Sequence, residues 1–214
     1  MTKQLYSVHP SISYIHAIIE RMPITTGKSL DEWVAVVKKQ RLTDNKAQKE
    51  WLKSAQKLGS TTASIIADAV KGLNREDTNS DAYLQAAVGY VENMYAGAKA
   101  DLKPIHDALI AMARKMHKDV KICPCQTIVP LYREHVVAQI KPATRTRVDF
   151  GLALKGISGK LSPRLKDTGG LAKGDRITHA FPLTSVDDID DEVKNWFEKA
   201  WELDAPAAKK SSKK

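Results

Sequence analysis

The alternation of apolar and polar positions divides the chain into a helical first part and a strand-rich second part. Ile12, Ile15, Ile19 and Met22 recur at helical spacing behind Ser11, a suitable N-cap, and Pro23 is placed to end that helix. Ser29-Leu30-Asp31-Glu32 reads as a capping box, in which hydroxyl and carboxylate satisfy each other's free amides, with Leu30, Trp33, Val34 and Val37 as the buried stripe. A third helix is expected over 45–58, through Trp51, Leu52, Ala55 and Leu58, with Gly59 as its stop. A fourth, over 62–71, turns Ile65, Ile66, Ala69 and Val70 inward and ends at Gly72. Two more apolar stripes follow, one over 81–98 and one from Ile105 to Met116. The pattern leaves open whether these are two helices or one kinked at Pro104.

From Val120 the period changes to two. Strands are expected over 120–123, 127–133, 136–140, 147–154 and 176–183, and the short connections imply an antiparallel meander. The clearest alternation surrounds Phe150: Val148, Phe150, Leu152 and Leu154 fall on one face, and Arg145, Arg147 and Asp149 on the other. A last helix over 187–203 turns Val193, Trp196, Phe197, Ala200 and Trp201 inward, and its acidic first turn suits the positive end of the helix dipole. The fold class is therefore α+β: an N-terminal small helical bundle, a helical connector, then a five-stranded antiparallel β-meander flanked by helices. The domain reading is a bundle over 10–73, a polar linker over 74–80, a sheet domain over 81–204 and a disordered basic tail over 205–214. The interval 155–175, rich in Gly, Lys, Ser and Pro, is long for a structureless loop, and loops of that kind are functional or disordered.

Composition is that of an ordinary globular protein, and charge changes the picture more. The net charge of +9 is unevenly spread. Residues 114–176 carry 14 Lys and Arg against 5 Asp and Glu, while 187–204 carry 2 against 8. A basic excess around the sheet favours phosphate-bearing or acidic partners, and a solvated surface partly neutralised by the acidic helix is the plainer alternative. Two cysteines without an export signal point to a reducing compartment, so the expected location is cytoplasmic, with no membrane association.

Catalytic and metal motifs are weak. Cys123-Pro124-Cys125 is a single C-x-C where zinc wants four ligands, so no metal and no cofactor is expected. The stretch 169–176 looks like a phosphate loop but has Asp175 and Arg176 where Lys and Ser or Thr belong, and it reads as a flexible loop. His106-Asp107, Glu134-His135 and His179 offer acid–base groups without a supporting signature, and His106 is expected on a helix surface. The sharper candidates are guanidinium groups gathered on the sheet. Arg133, Arg145, Arg147 and Arg176, with Asp149 and His179, form the candidate anion-binding face, and an internal pairing of Asp149 with Arg147 is the plainer alternative.

Two resemblances add to this reading. Thr26-Gly27-Lys28-Ser29-Leu30-Asp31-Glu32-Trp33, Trp51-Leu52-Lys53 and Leu58-Gly59 resemble the small helical domain-of-unknown-function family 4287. Tyr95-Ala96-Gly97-Ala98-Lys99-Ala100, Leu102-Lys103-Pro104-Ile105-His106-Asp107-Ala108-Leu109 and the run from Pro142 to Leu152 resemble domain-of-unknown-function family 5655. The resemblance implies a bacterial protein with this two-domain order, and its second part is similar to modules attached to restriction-type nucleases. The family pattern does not call for cysteines near Cys123. The expected function is a non-catalytic binding module that engages DNA, RNA or another polyanion through the basic sheet face. An enzyme or small-anion-binding protein with a pocket between the sheet and the 155–175 loop is the first alternative. A protein–protein adapter working through the bundle, betrayed by an exposed Trp33 or Trp51, is the second.

Overall fold

The computed structural model describes residues 5–72 and 79–205. The chain forms two compact units, Val8–Ala86 and Met1–Ser7 with Ala87–Lys214. Positions 74–78 of the expected linker and 206–214 of the expected tail lie outside the described residues. Among the described residues no helix is long and apolar enough to cross a membrane.

The first unit contains α1 (Pro10–Thr26), α2 (Leu30–Lys39), α3 (Asn45–Ser54) and α4 (Ser60–Val70). Pro23 does not end α1. It removes only its own N–H, and so near the C-terminus the helix continues one more turn to Gly27, whose φ of 78° breaks it and whose N–H bonds Pro23 O at 3.0 Å. The N-cap is His9 rather than Ser11, its Nδ1 accepting the Ser11 N–H at 3.1 Å. The capping box of α2 is formed as expected: Ser29 N donates to Glu32 Oε2 at 2.7 Å and Glu32 N to Ser29 Oγ at 3.3 Å. Helix α3 stops at Ser54, short of the expected 58, because Leu58 N turns back to Leu52 O. Gly59 then caps the start of α4 in extended geometry instead of stopping α3.

Met22, Trp33, Val37, Leu52 and Ile66 form the centre of this unit and are almost fully buried. Each large apolar side chain so placed contributes roughly 1.5–3 kcal/mol. Trp33 Nε1 donates to Thr26 Oγ1 at 2.8 Å, and Trp51 is half-buried against the same cluster. Neither indole stands out as a free anchor.

The division between the units falls within α5 (Ser80–Met94). A 3-10 turn, Gly97–Leu102, then separates α5 from α6 (Lys103–Met116), with Pro104 in the first turn of α6. The two stripes are thus two helices. The sheet that follows is antiparallel and has six strands, not the five expected: β1 (Lys121–Ile122), β2 (Val129–Tyr132), β3 (Val136–Pro142), β4 (Val148–Leu152), β5 (Lys166–Asp167) and β6 (His179–Leu183). Their order is β1-β2-β3-β4-β6-β5. The five expected strands run as a meander, and the extra one returns from the 153–178 excursion to pair with the outer edge of β6. At two residues β5 is too short to carry an alternation signal.

Register fixes the two faces. Ala138 lies opposite Leu152, and Ile140 opposite Phe150, which lies opposite Phe181; all but Ala138 are among the largest fully buried side chains. This face packs on α8 (Asp191–Leu203), where the Phe150 and Phe197 rings are 5.8 Å apart. The other face carries Gln139, Gly151 and Ala180 in one row and Lys141, Asp149 and Pro182 in the next. Residues 168–177 cross over that second face, with Ile177 against Gly151.

Candidate functional site

The crossing segment turns the second face into a groove of about 810 Å³. Two glycines make it possible. A Cβ on Gly151 would meet Ile177 Cγ2 at 2.6 Å and Gln139 Cγ at 3.0 Å, so only glycine there lets Ile177 sit down on the sheet. A Cβ on Gly170 would lie 2.1 Å from Ile177 O. The segment itself is ordered by its own bonds. Thr168 Oγ1 donates to Ile177 O at 2.9 Å, Thr168 N to Thr178 O at 3.0 Å, and Asp175 N to Gly170 O at 2.9 Å. A one-turn helix, α7 (Gly170–Lys173), therefore stands where a flexible loop was expected.

Earlier in the same excursion, Arg164 anchors the chain to the start of α8. Its Nη1 reaches Asp190 Oδ2 at 2.6 Å and Glu192 Oε2 at 2.8 Å, its Nη2 donates to Asp188 O at 3.0 Å, and its guanidinium lies 5.3 Å from the Phe181 ring. Asp188, Asp190 and Glu192 of the acidic run are thus occupied by caps and by Arg164. Asp188 accepts from Thr184 N and Ser185 N, and Asp190 from Val193 N, and these amides hold both carboxyls below the usual range.

Of the six candidate residues, the structure brings Arg147, Asp149 and Arg176 to the groove. Arg147 and Asp149 pair with each other: Nε lies 2.8 Å from Oδ1 and Nη2 3.4 Å from Oδ2, both side chains partly exposed. An ion pair this wet contributes little to stability. Arg176 spans from its segment to β3, where Nε donates to Val136 O at 3.1 Å, and to the end of α8, where Nη2 donates to Asp204 Oδ1 at 2.7 Å.

The other three fall elsewhere. Arg145 sits in the β3–β4 turn, exposed and outside the groove lining. Arg133 serves α8, donating Nη1 to Trp201 O at 2.7 Å and lying 5.3 Å from the Trp201 ring. His179 pairs with Leu152 on the core face, its Nδ1 3.0 Å from Thr178 Oγ1. Ile177, two residues earlier, does not share this face, because the regular strand begins only at His179 and Ile177 covers Gly151 on the opposite side.

Gln139, Lys141, Lys166, Asp167 and Asp175 also line the groove and were missed. The first two were legible, because both alternate with the buried Ala138 and Ile140. Lys141 has no ion-pair partner among the described residues, and Lys166 Nζ reaches only Pro163 O, at 3.2 Å.

Next to the groove lies a second cluster. The side chain of Asp204 is 5% exposed and accepts from His135 N at 2.7 Å, from His135 Nδ1 at 2.9 Å and from Arg176. Burial alone would raise its pKa, but the His135 amide and ring and the Arg176 charge outweigh that and leave it lowered. His135, Lys155, Asp175, Arg176 and Asp204 line a hollow of about 560 Å³.

The remaining titratable groups are poorly placed for chemistry. His106 is 1% exposed, inside the unit rather than on a helix surface, because Ile105, His106, Leu109 and Ile110 of α6 all turn inward. Burial pushes the Cys123 thiol up to about 12 and raises Cys125 as well, so both are protonated near neutral pH. Among the described residues, no three His, Cys, Asp or Glu side chains gather as a metal site requires.

Comparison with known proteins places this architecture. A family model described as a domain of unknown function (DUF4287) matches residues 15–72, and one described as a domain of unknown function (DUF5655) matches residues 91–204. No curated protein and no solved structure matches the chain. The second match spans more than half of the 214 residues and contains the whole sheet, so the chain belongs to the DUF5655 family, with a DUF4287 domain preceding it.

Proposed function

We propose that the C-terminal domain is a non-catalytic binding module for nucleic acid or another polyanion, seated in the groove on the open sheet face, and that it works in a bacterial cytoplasm. The observation that carries the reading is the convergence of Lys141, Arg147, Lys166 and Arg176, drawn from four separate stretches of chain, on one concave surface with a low floor of Gly151 and Ala180. Lysines without carboxylate partners are suited to phosphate as mobile point charges, while Arg176, already fixed at two points, offers a rigid fork. Binding rather than catalysis is favoured by the disposition of the reactive groups. His106 is enclosed, His179 faces the core, and the thiols are protonated.

A salt series with labelled single-stranded DNA and RNA tests the proposal. Affinity should fall as salt rises, and Lys141→Ala with Lys166→Ala should flatten the slope of log K against log salt by about 1.4, at roughly 0.7 per phosphate neutralised. No binding at low salt, or the same slope in the variant, refutes it.

A small anion is the second reading, favoured by the size of the same groove, which lies within the range of roughly 300–1,000 Å³ typical of small-molecule sites. Binding of a mononucleotide as tight as that of an oligonucleotide would select this reading.

A further inference from the structure

We infer that a single-stranded nucleic acid held in this groove continues across Arg176 into the neighbouring hollow, where the imidazole of His135 is a platform on which a base stacks. The inference rests on the polyanion reading above and adds a base-contacting site to it. The two hollows meet at the same residues, since Asp175 and Arg176 line both. Along β3 the first runs from Lys141 to Val136, about 17 Å at the rise of an antiparallel strand. That is longer than one phosphate needs. Arg176, bonded to Val136 O and Asp204, commits two of its five N–H groups and keeps the rest for a ligand passing over it.

His135 combines an exposed ring with a buried carboxylate that holds it. Its side chain is 65% exposed, yet Asp204 grips it twice, through Nδ1 at 2.9 Å and through the backbone amide at 2.7 Å. The carboxylate can only accept, so Nδ1 carries a proton and Nε2 is left at the outer edge of the ring. A ring held in this way has already lost the rotamer freedom that stacking would otherwise remove. Lys155, exposed and with no ion-pair partner among the described residues, stands in the same hollow to meet the phosphate of the stacked nucleotide. Glu134 and Asp175 repel a second backbone there, and this favours one strand over a duplex. The sequence shows no row of aromatic platforms, and an immobilised imidazole meets that need, because histidine is among the side chains on which unstacked bases settle.

The test compares two ligands on the full chain: single-stranded oligonucleotides of increasing length, and inorganic polyphosphate, which has charge but no bases. His135→Ala should weaken oligonucleotide binding about tenfold, within the range measured for one lost stacking contact, and leave polyphosphate binding unchanged. His135→Trp should restore oligonucleotide affinity, and its indole fluorescence should be quenched on binding. Lys155→Ala should weaken both ligands equally. The inference is overturned if His135→Ala binds oligonucleotides like the wild type, if it weakens both ligands alike, or if His135→Trp fails to rescue. Failure of the wild type to bind either ligand overturns the groove reading as well, whereas binding of both with an inert His135 overturns only the platform.

Discussion

His106 sits in α6 with 1% of its surface exposed, its ring centroid 4.9 Å from that of Tyr95, and its Nδ1 has no hydrogen-bond partner among the described residues. Burial lowers its pKa from 6.5 to about 4, opposed by Asp107 and assisted by Lys103. The unfolded chain has no such constraint and takes up a proton near the ordinary value. The sign follows directly: between those two values the unfolded state binds a proton that the native state refuses, so stability falls as pH falls. Each tenfold difference in proton affinity is worth about 1.36 kcal/mol, so lowering the pH from about 7.5 to about 4.5 should remove about 2–3 kcal/mol. That is a large share of the roughly 5–15 kcal/mol that holds a domain folded. The carboxylates with lowered pKa, such as Asp188, Asp190, Glu192 and Asp204, act in a separate window. Their contribution is intact above about pH 5 and is lost as the pH falls from there through their lowered folded values. Urea denaturation at a series of pH values, on the wild type and on His106→Phe, reads the effect as a difference in slope, so any change in absolute stability cancels. The variant should be flat where the wild type declines. Equal slopes, or a His106 ring resonance that titrates near pH 6.5 in the native protein, would show that the side chain reaches water and that the burial argument fails.

Two further outcomes follow from the same geometry. Gly170→Ala forces a Cβ against Ile177 O and should lower stability by about 1–3 kcal/mol, seen as a fall of several degrees in Tm, while Gly174→Ala, with open space around it, should lose only about 1 kcal/mol for its left-handed backbone; equal melting temperatures would contradict the close packing of the crossing segment. Asp204→Ala strips Arg176 and the His135 amide of a shared acceptor and should cost about 2 kcal/mol in urea denaturation, and a loss under about 0.5 kcal/mol would mean that the cluster is solvated rather than structural.

The fold was legible where the local pattern and the global packing agree. The capping box at Ser29 and Glu32, the inward stripe of α8 and the alternation through Phe150 each depend on neighbours in sequence, and each is formed. Errors arose where a local signal has two outcomes. Pro23 and Gly59 are both strong punctuation marks, but a proline near a helix end costs one hydrogen bond and no more, and a glycine between two helices can open the second as readily as close the first. Strand β5 and the buried position of His106 had no local signal at all. The first exists because the excursion after β4 happens to return beside β6, and the second depends on which side of α6 the rest of its unit covers.

The candidate site shows a different kind of limit, one rooted in the chemistry of the side chains. Sequence reasoning favoured arginines because a guanidinium forks onto phosphate. The same planar fork, always charged and weakly hydrated, is also the better group for holding a protein together. Here the fold has used it so: Arg133 closes the end of α8, Arg164 secures the excursion to its start, Arg147 pairs with Asp149 two residues on, and Arg176 ties β3 to Asp204. The compact, strongly hydrated ammonium groups gain less from such contacts, and Lys141, Lys155 and Lys166 face the hollows with no carboxylate partner among the described residues. Charge counting along the chain thus drew attention to the sheet face that carries the groove, but the division of labour between the two cations was set by partners distant in sequence. In a basic groove of this kind, arginines with acceptors already in hand shape the surface, and the lysines beside them are the groups to mutate first when a ligand is sought.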